Sequence, residues 1–306
     1  MNDNRQQTAA PTSVGDYIEY CFAALENSQV YYGHGTDNAW DEAVQMVLFA
    51  AGLPADAPAT TLSRVLTAPQ TEDLLGILQR RIDEHVPLPY LTGRAWFAGL
   101  EFACDRRAII PRSPIAELIL NEYQPWYSGP GPHRILDLCC GGGCIGLAAA
   151  RYNATATVDL VDLDPAVLAL ARENAARLEL TDRVTLQQSD LFQAVSGRRY
   201  DLILSNPPYV DEQDLADMPA EYAHEPALAL GSGADGLALT RLILAQAGQY
   251  LEDTGLLVVE VGNSWSALEQ AYPDVPFTWL EFEQGGHGVF AMSAQELRQY
   301  GESLER

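Results

Sequence analysis

The sequence contains no lysine. All 18 of its basic side chains are arginine, against 42 aspartates and glutamates, for a formal net charge of -24 over 306 residues. A chain this acidic has no broad basic face, which argues against non-specific affinity for a DNA or RNA backbone. Compositional bias of a GC-rich or salt-adapted proteome accounts for the overall charge, and its local distribution bears on partners. Cysteine is sparse and odd in number, at positions 21, 104, 139, 140 and 144, so no disulfide framework is indicated. No apolar run is long enough to span a bilayer. The opening MNDNRQQTAAPTSVG lacks the apolar core of a secretory signal, and a reducing cytoplasm is the expected setting. There is no internal repeat and no low-complexity tract. The hydrophobic share of 47% and charged share of 20% are ordinary for a globular chain and exclude wholesale disorder, a collagen-like repeat or a coiled-coil rod.

Four regions follow from the texture of the chain. Residues 1–14 are polar and read as a loose tail. Residues 15–94 read as a small helical domain: Tyr17, Tyr20, Cys21, Ala24 and Leu25 step by three and four, as do Ala43, Val44, Val47, Leu48 and Ala51. Gly52-Leu53-Pro54 stops one helix, and Thr71-Glu72-Asp73 precedes a further periodic run over 74–82 that ends before Pro87 and Pro89. Residues 95–132 read as a hairpin and connector, with strands at 95–102 and 108–110 around a polar turn at 104–107. Ser113 and Pro114 suit a helix cap and first turn, and the Gly and Pro cluster at 127–133 reads as a surface loop. From 133 to 306 strands and helices alternate. Strands are expected at 134–138, 155–161, 184–187, 200–205, 255–261, 277–282 and 288–292, with a helix after the glycine-rich turn through Ala150 and helices over 165–178 and 237–251. The fold class is therefore α/β, a mainly parallel Rossmann-like sheet with helices on both faces. Ligands bind such sheets beyond the carboxyl ends of the strands.

The first strand of this alternation runs into Asp137-Leu138-Cys139-Cys140-Gly141-Gly142-Gly143-Cys144-Ile145-Gly146. Gly141, Gly143 and Gly146 satisfy G-x-G-x-x-G, and Asp162 follows Gly141 by 21 residues at the end of the next strand. Glycines allow close backbone approach, and a carboxylate at that offset can hold ribose hydroxyls. The glycines alone also fit a ligand-free tight turn; the βαβ setting with Asp162 favours a ribose-bearing cofactor. Asp137 beside the loop would repel a pyrophosphate and attract a cation. That favours S-adenosylmethionine, with its ammonium and sulfonium, over NAD or FAD. Cys139, Cys140 and Cys144 have no nearby histidine and no paired spacing, so small soft side chains in a crowded loop explain them better than a metal.

The second motif is Asn206-Pro207-Pro208-Tyr209, directly after the apolar strand at 200–205. Two prolines remove two backbone donors and stiffen the turn. The carbonyls of Asn206 and Pro207 and the Asn206 side-chain oxygen remain as acceptors that can hold both hydrogens of a planar NH2, with Tyr209 able to stack on the flat group carrying it. A conjugated nitrogen is a poor nucleophile. Acceptors that bind it more tightly as it becomes pyramidal stabilise the transition state above the ground state.

The segments 137–146, Asp162, Ser189-Asp190-Leu191-Phe192 and Asn206-Pro207-Pro208-Tyr209 resemble the class I S-adenosylmethionine-dependent methyltransferases that modify glutamine side-chain nitrogen, a family that includes the release-factor enzymes. Tyr90-Leu91-Thr92, Ala95-Trp96-Phe97, Pro111-Arg112-Ser113-Pro114-Ile115, His224-Glu225-Pro226 and the segments 32–38 and 272–279 resemble the branch acting on ribosomal protein three of the bacterial large subunit. The resemblance covers nearly the whole chain after the tail. It implies that Cys139, Cys140, Gly141, Gly142 and Gly143, beside Asp137, line the methionine part of the cofactor. It implies that Asp162 holds the ribose, that Asp190 and Leu191 lie beside the adenine, and that Asn206, Pro207, Pro208 and Tyr209 grip the glutamine amide with Asn206 also near the methyl donor. The stretch Cys139-Cys140-Gly141-Gly142 departs from the family, which commonly has a threonine and a serine in this loop. Arg112 and Glu117 match the family's Pro-Arg…Glu segment, as ligand contacts or braces.

Competing classes share parts of this pattern. Amino-adenine DNA methyltransferases use the same Asn-Pro-Pro-Tyr loop but need a positive channel. Residues 201–240 hold eight acids and no arginine, a mouth expected to repel phosphate and attract a basic protein. A release factor as substrate would meet identical amide chemistry. A non-catalytic assembly factor is disfavoured by the intact loop. His34, His133 and His287 read as turn residues, His224 as a closure over the pocket, and Trp96, Phe97 and Trp126 as packing at the domain junction. A monomer is the expected state.

Overall fold

The computed structural model describes residues 10–304. Residues 1–9 of the expected tail lie outside the described residues. The described residues divide into two compact units, one up to Thr92 and one from Gly93 onward.

The first unit is helical: Val14–Glu26, Ala39–Ala50, Ala68–Asp83 and the short Leu88–Thr92. Order begins before residue 14. Ser13 and Asp16 form a capping box, Thr12 is bonded through its carbonyl to the Leu66 amide at 3.1 Å, and Val14 is fully buried. The helix expected after Thr71 starts at Ala68, because Thr67 and Gln70 cap each other and a proline sits in the first turn. Leu88–Thr92 is helical through Pro89, read above only as a breaker. Leu25, Met46, Val47 and Leu74 form the buried centre. An ion pair of Arg81 with Glu42 is buried beside them; Arg81 also donates to the Tyr31 carbonyl at 2.8 Å, and Thr36 to Glu42 at 3.0 Å. His34, read as a turn residue, is buried near Tyr31.

The second unit opens on a hairpin that differs from the expected one. Its strands are β1 (Arg94–Phe97) and β2 (Leu100–Ala103), antiparallel with Phe97 opposite Leu100. The turn is Ala98-Gly99, both at positive φ of 48° and 74°, the backbone that a tight two-residue turn requires. An alanine there hid the turn, and residues 108–110 are not a strand. Phe97 and Phe102 join the core of the sheet, whereas Trp96 and Trp126 are exposed.

The sheet contains β3 (Arg134–Leu138), β4 (Thr157–Asp162), β5 (Val184–Gln188), β6 (Tyr200–Ser205), β7 (Leu251–Glu260), β8 (Thr278–Trp279) and β9 (Val289–Ser293). Their order is β5-β4-β3-β6-β7-β9-β8. β9 is antiparallel to both β7 and β8, and the other pairs are parallel. Both faces are covered. Ile135, Val158 and Leu202 pack with Leu147 and Leu168 on one side; Leu136, Val161 and Ile203 pack with Ile243, Leu268 and Leu297 on the other. A strand buried on both faces reads as a continuous apolar run, which is why these strands were visible in the sequence. The helix expected over 237–251 spans Ala238–Ala247 and stops at Gly248, so Leu251 opens β7 instead. Helices Glu212–Asp217, Trp265–Ala271 and Ala294–Gln299 were not foreseen; each has only six or seven residues, too few for a periodic signature.

Candidate active site

The site is built by strand register. Leu138 of β3 lies opposite Val161 of β4 and Ser205 of β6, so Cys139, Asp162 and Asn206 leave the sheet side by side. Ser205 Oγ donates to the Leu138 carbonyl at 2.9 Å, and the Cys140 amide to the Val161 carbonyl at 3.0 Å. Asp162 in turn lies opposite Gln188 of β5, which brings Ser189 and Asp190 to the same edge.

The glycine loop is folded around two carboxylates. Asp162 accepts from the Gly141 amide at 3.0 Å and from the Asp164 amide at 3.1 Å, and burial raises its pKa above the usual carboxylate value. Asp137 is fully buried. One of its oxygens accepts from the Gly146 amide at 2.7 Å; the other has no hydrogen-bond partner. Burial pushes its pKa up to about 8 against that bond, with the nearby charge of Asp162 adding to the rise. A side chain at Gly146 would meet Asp137 Oδ2 and Leu160 Cγ at 2.8 Å, so only glycine lets the helix Cys144–Tyr152 start this close to the strand.

A cavity of about 380 Å³ opens at these strand ends. Of the expected residues, Cys139, Gly141, Asp162, Asp190, Leu191, Asn206 and Pro208 line it. The others are placed behind the wall. Gly142 faces the helix Pro165–Arg177, its carbonyl accepting from Asn174 at 2.9 Å; Gly143 packs against Leu147, Ala171 and Leu160; Cys140 and Pro207 are buried. Burial raises the thiols of Cys139, Cys140 and Cys144, which leaves them protonated and inert. Among the described residues no group of His, Cys, Asp or Glu is placed to hold a metal ion. The sequence did not reveal Ala108 and Ile109, or the segment from Pro226 to Gly233, as walls of this cavity. The first pair looked like a strand, and the second, beyond Pro226 of the His-Glu-Pro segment, has no residue pattern that marks it as a wall.

Tyr209 is turned into a buried network that the sequence did not disclose. Its hydroxyl donates to Glu260 at 2.9 Å, and its carbonyl accepts from Ser264 at 2.7 Å. Burial raises both the Tyr209 phenol and the Glu260 carboxyl. Arg112 makes a two-point ion pair with Glu225, whose side chain is fully enclosed; the Ile110 amide donates to the same carboxylate at 2.9 Å. Glu117 accepts from the amides of Glu283 and Gln284. Both therefore brace backbone within the second unit. His224 stands 2.9 Å from Arg106 through its Nδ1.

The acidic stretch 201–240 is not one surface. Asp201 binds the His133 and Arg134 amides at the opposite end of β6, Glu221 and Glu225 are buried, and Asp235 pairs with Arg241. Asp211, Glu212, Asp214 and Asp217 remain, on and just before the helix Glu212–Asp217 that follows the Asn-Pro-Pro-Tyr loop.

Residues 128–274 match the family model of the methyltransferase small domain. The ribosomal protein uL3 glutamine methyltransferase of Francisella tularensis subsp. tularensis is 44% identical over 295 residues, covering 96% of this chain and 94% of that protein. Its namesake from Xanthomonas campestris pv. campestris is 48% identical over 283 residues, covering 92% of this chain and 91% of that protein. Among solved structures, the catalytic domain of hMettl16 aligns with a TM-score of 0.49 and 18% identity over 75% of this chain and 83% of that one.

Proposed function

Since the chain belongs to the family of ribosomal protein uL3 glutamine methyltransferases, we propose that it transfers the methyl group of S-adenosylmethionine to the side-chain amide nitrogen (N5) of a glutamine in uL3, protein three of the large ribosomal subunit. The observation that carries this reading is that Asn206 and Pro208 share one cavity wall with Cys139, Gly141, Asp162 and Asp190.

The residues fit the cofactor. Asp137, beside the loop, keeps one buried carboxyl oxygen without a partner, and a cation bound in the adjoining loop would favour its ionised form. Asp162, on the cavity wall, offers acceptors for ribose hydroxyls, and Asp190 with Leu191 lines the wall beside the adenine, where Val167 and Leu239 add apolar surface. S-adenosylmethionine bound there supplies an electrophilic methyl on a sulfonium. The chain's own residues handle the amide. Asn206, on the cavity wall, and the Pro207 carbonyl accept its two hydrogens, while Tyr209, turned away into the network with Glu260, holds the loop in place. The prolines keep these acceptors from reorganising, so they strengthen as the nitrogen loses conjugation. No strong base is needed, since the proton leaves after the nitrogen has become cationic. The free cysteines suit a reducing cytoplasm, and no helix among the described residues is long and apolar enough to cross a membrane.

Incubation with radiolabelled S-adenosylmethionine and, in parallel, purified uL3 and a purified release factor tests the reading. Label on a uL3 glutamine is expected. Label on the release factor alone assigns the chain's amide chemistry to the sister substrate.

A further inference from the structure

The apolar run 256–259 of β7 ends in Glu260, a carboxylate with only 5% exposure. An apolar side chain would fill such a position at lower cost, since a buried carboxylate must be desolvated. Its two oxygens are divided between partners from different segments. Oε2 accepts from Ser113 Oγ, which is itself oriented by accepting from the Ile115 amide at 3.2 Å. Oε1 accepts from the Tyr209 hydroxyl at 2.9 Å. The Tyr209 ring rests on Gly262, where any side chain would collide with it. Its carbonyl is held by Ser264, and the next amide, that of Val210, is bonded to the Leu230 carbonyl at 2.9 Å. Pro207 and Pro208 contribute no amide donor, so they give the loop no amide hydrogen bonds of its own. The tilt of the ring is then set at the far end of the phenol, by Glu260.

We propose that Glu260 is a positioning residue for methyl transfer: held by Ser113, it fixes Tyr209 and with it the loop that presents Asn206 to the substrate amide. The proposal rests on the methyltransferase reading above. It is an assignment of a residue two strands removed from the glycine loop, acting through another side chain rather than on the ligand.

The test compares Tyr209→Phe, Glu260→Leu, Glu260→Gln and the Tyr209→Phe/Glu260→Leu double variant with the unaltered chain. The readouts are kcat on uL3, the Kd of S-adenosylmethionine by calorimetry, and amide hydrogen exchange over 206–210. Losing a charge-assisted hydrogen bond predicts a fall in kcat of about tenfold or more in Tyr209→Phe and Glu260→Leu. The cofactor Kd stays within about twofold, and exchange of the Asn206 and Tyr209 amides speeds up. Glutamine still offers the phenol an acceptor and can donate to Ser113, so Glu260→Gln recovers kcat to within about threefold. The double variant is no worse than the poorer single one, because both remove the same bond. If Glu260→Leu does not fold, the same cycle is read with Ser113→Ala and Tyr209→Phe. Full kcat and unchanged exchange in Tyr209→Phe, or losses that add in the double variant, overturn the proposal. Failure of the unaltered chain to label uL3 rejects the substrate reading instead, and loop exchange still decides the role of Glu260.

Discussion

Asn206 sits where two requirements meet. It is the first residue beyond β6, so the sheet fixes its backbone, and it lines the cavity shared with the glycine loop. Asn206→Ala is expected to lower kcat by about 10²–10³-fold, the cost of one preorganised transition-state hydrogen bond. Calorimetric affinity for S-adenosylmethionine should stay near the unaltered value, since Cys139, Gly141 and Asp162 remain. Asp137 predicts a different signature. Its carboxyl ionises near 3.8 when unburied and near 8 in the folded chain, so the native state holds a proton that the unfolded state has released. Stability from this group is therefore complete below about pH 4 and is lost as pH rises through about 8. Thermal denaturation of the ligand-free protein should show a decline in melting temperature from pH 5 to pH 8 that is shallower in Asp137→Asn. An equal decline in the variant would remove Asp137 as its source. At this scale the motif residues were legible because their types are chemically unusual after an apolar strand: a glycine cluster, a carboxylate, an Asn-Pro-Pro-Tyr. Glu260 has the same placement, yet an isolated acid at a strand end resembles a solvated one until its partners from residues 113 and 209 are seen.

Elements were legible in proportion to their length and burial. β6 was read at its true limits because it is apolar and closed by prolines, and β3 likewise by its glycines. The hairpin was misplaced because its turn is Ala98-Gly99, with alanine in the left-handed region, a choice that turn composition does not anticipate. The segment after Ala103 then became free to do something else. Arg107, Ala108 and Ile109 line the cavity, and the stretch that carries them is tied to the 219–233 loop by Arg112 and Glu225. Glu225→Ala leaves the guanidinium without its enclosed partner and the Ile110 amide without an acceptor. A loss of about 3–5 kcal/mol in unfolding free energy is expected in urea titration. A loss under about 1 kcal/mol would show that the tie is dispensable to the unit.

For the molecule as a whole, the net charge of -24 acts against compaction. Raising sodium chloride from about 0.1 M to 1 M shortens the Debye length from about 10 Å to about 3 Å. The melting temperature is expected to climb over that range in differential scanning calorimetry, and a flat response would mean that local ion pairs already neutralise the repulsion. The acidity is not concentrated as the count along the chain suggested. Of the eight acids between 201 and 240, two are buried and two are engaged at an arginine or at the far end of β6. The α/β class, the positions of most strands along the chain and the two loops that carry the chemistry could be read from the amino acids alone, because periodicity and unusual residue types are properties of short segments. Only the tertiary structure decided that Leu138, Val161 and Ser205 end level with one another. It also decided that a serine at 113, a tyrosine at 209 and a glutamate at 260 meet in one buried network. Register and long-range pairing depend on how distant strands stack, and no local pattern encodes that.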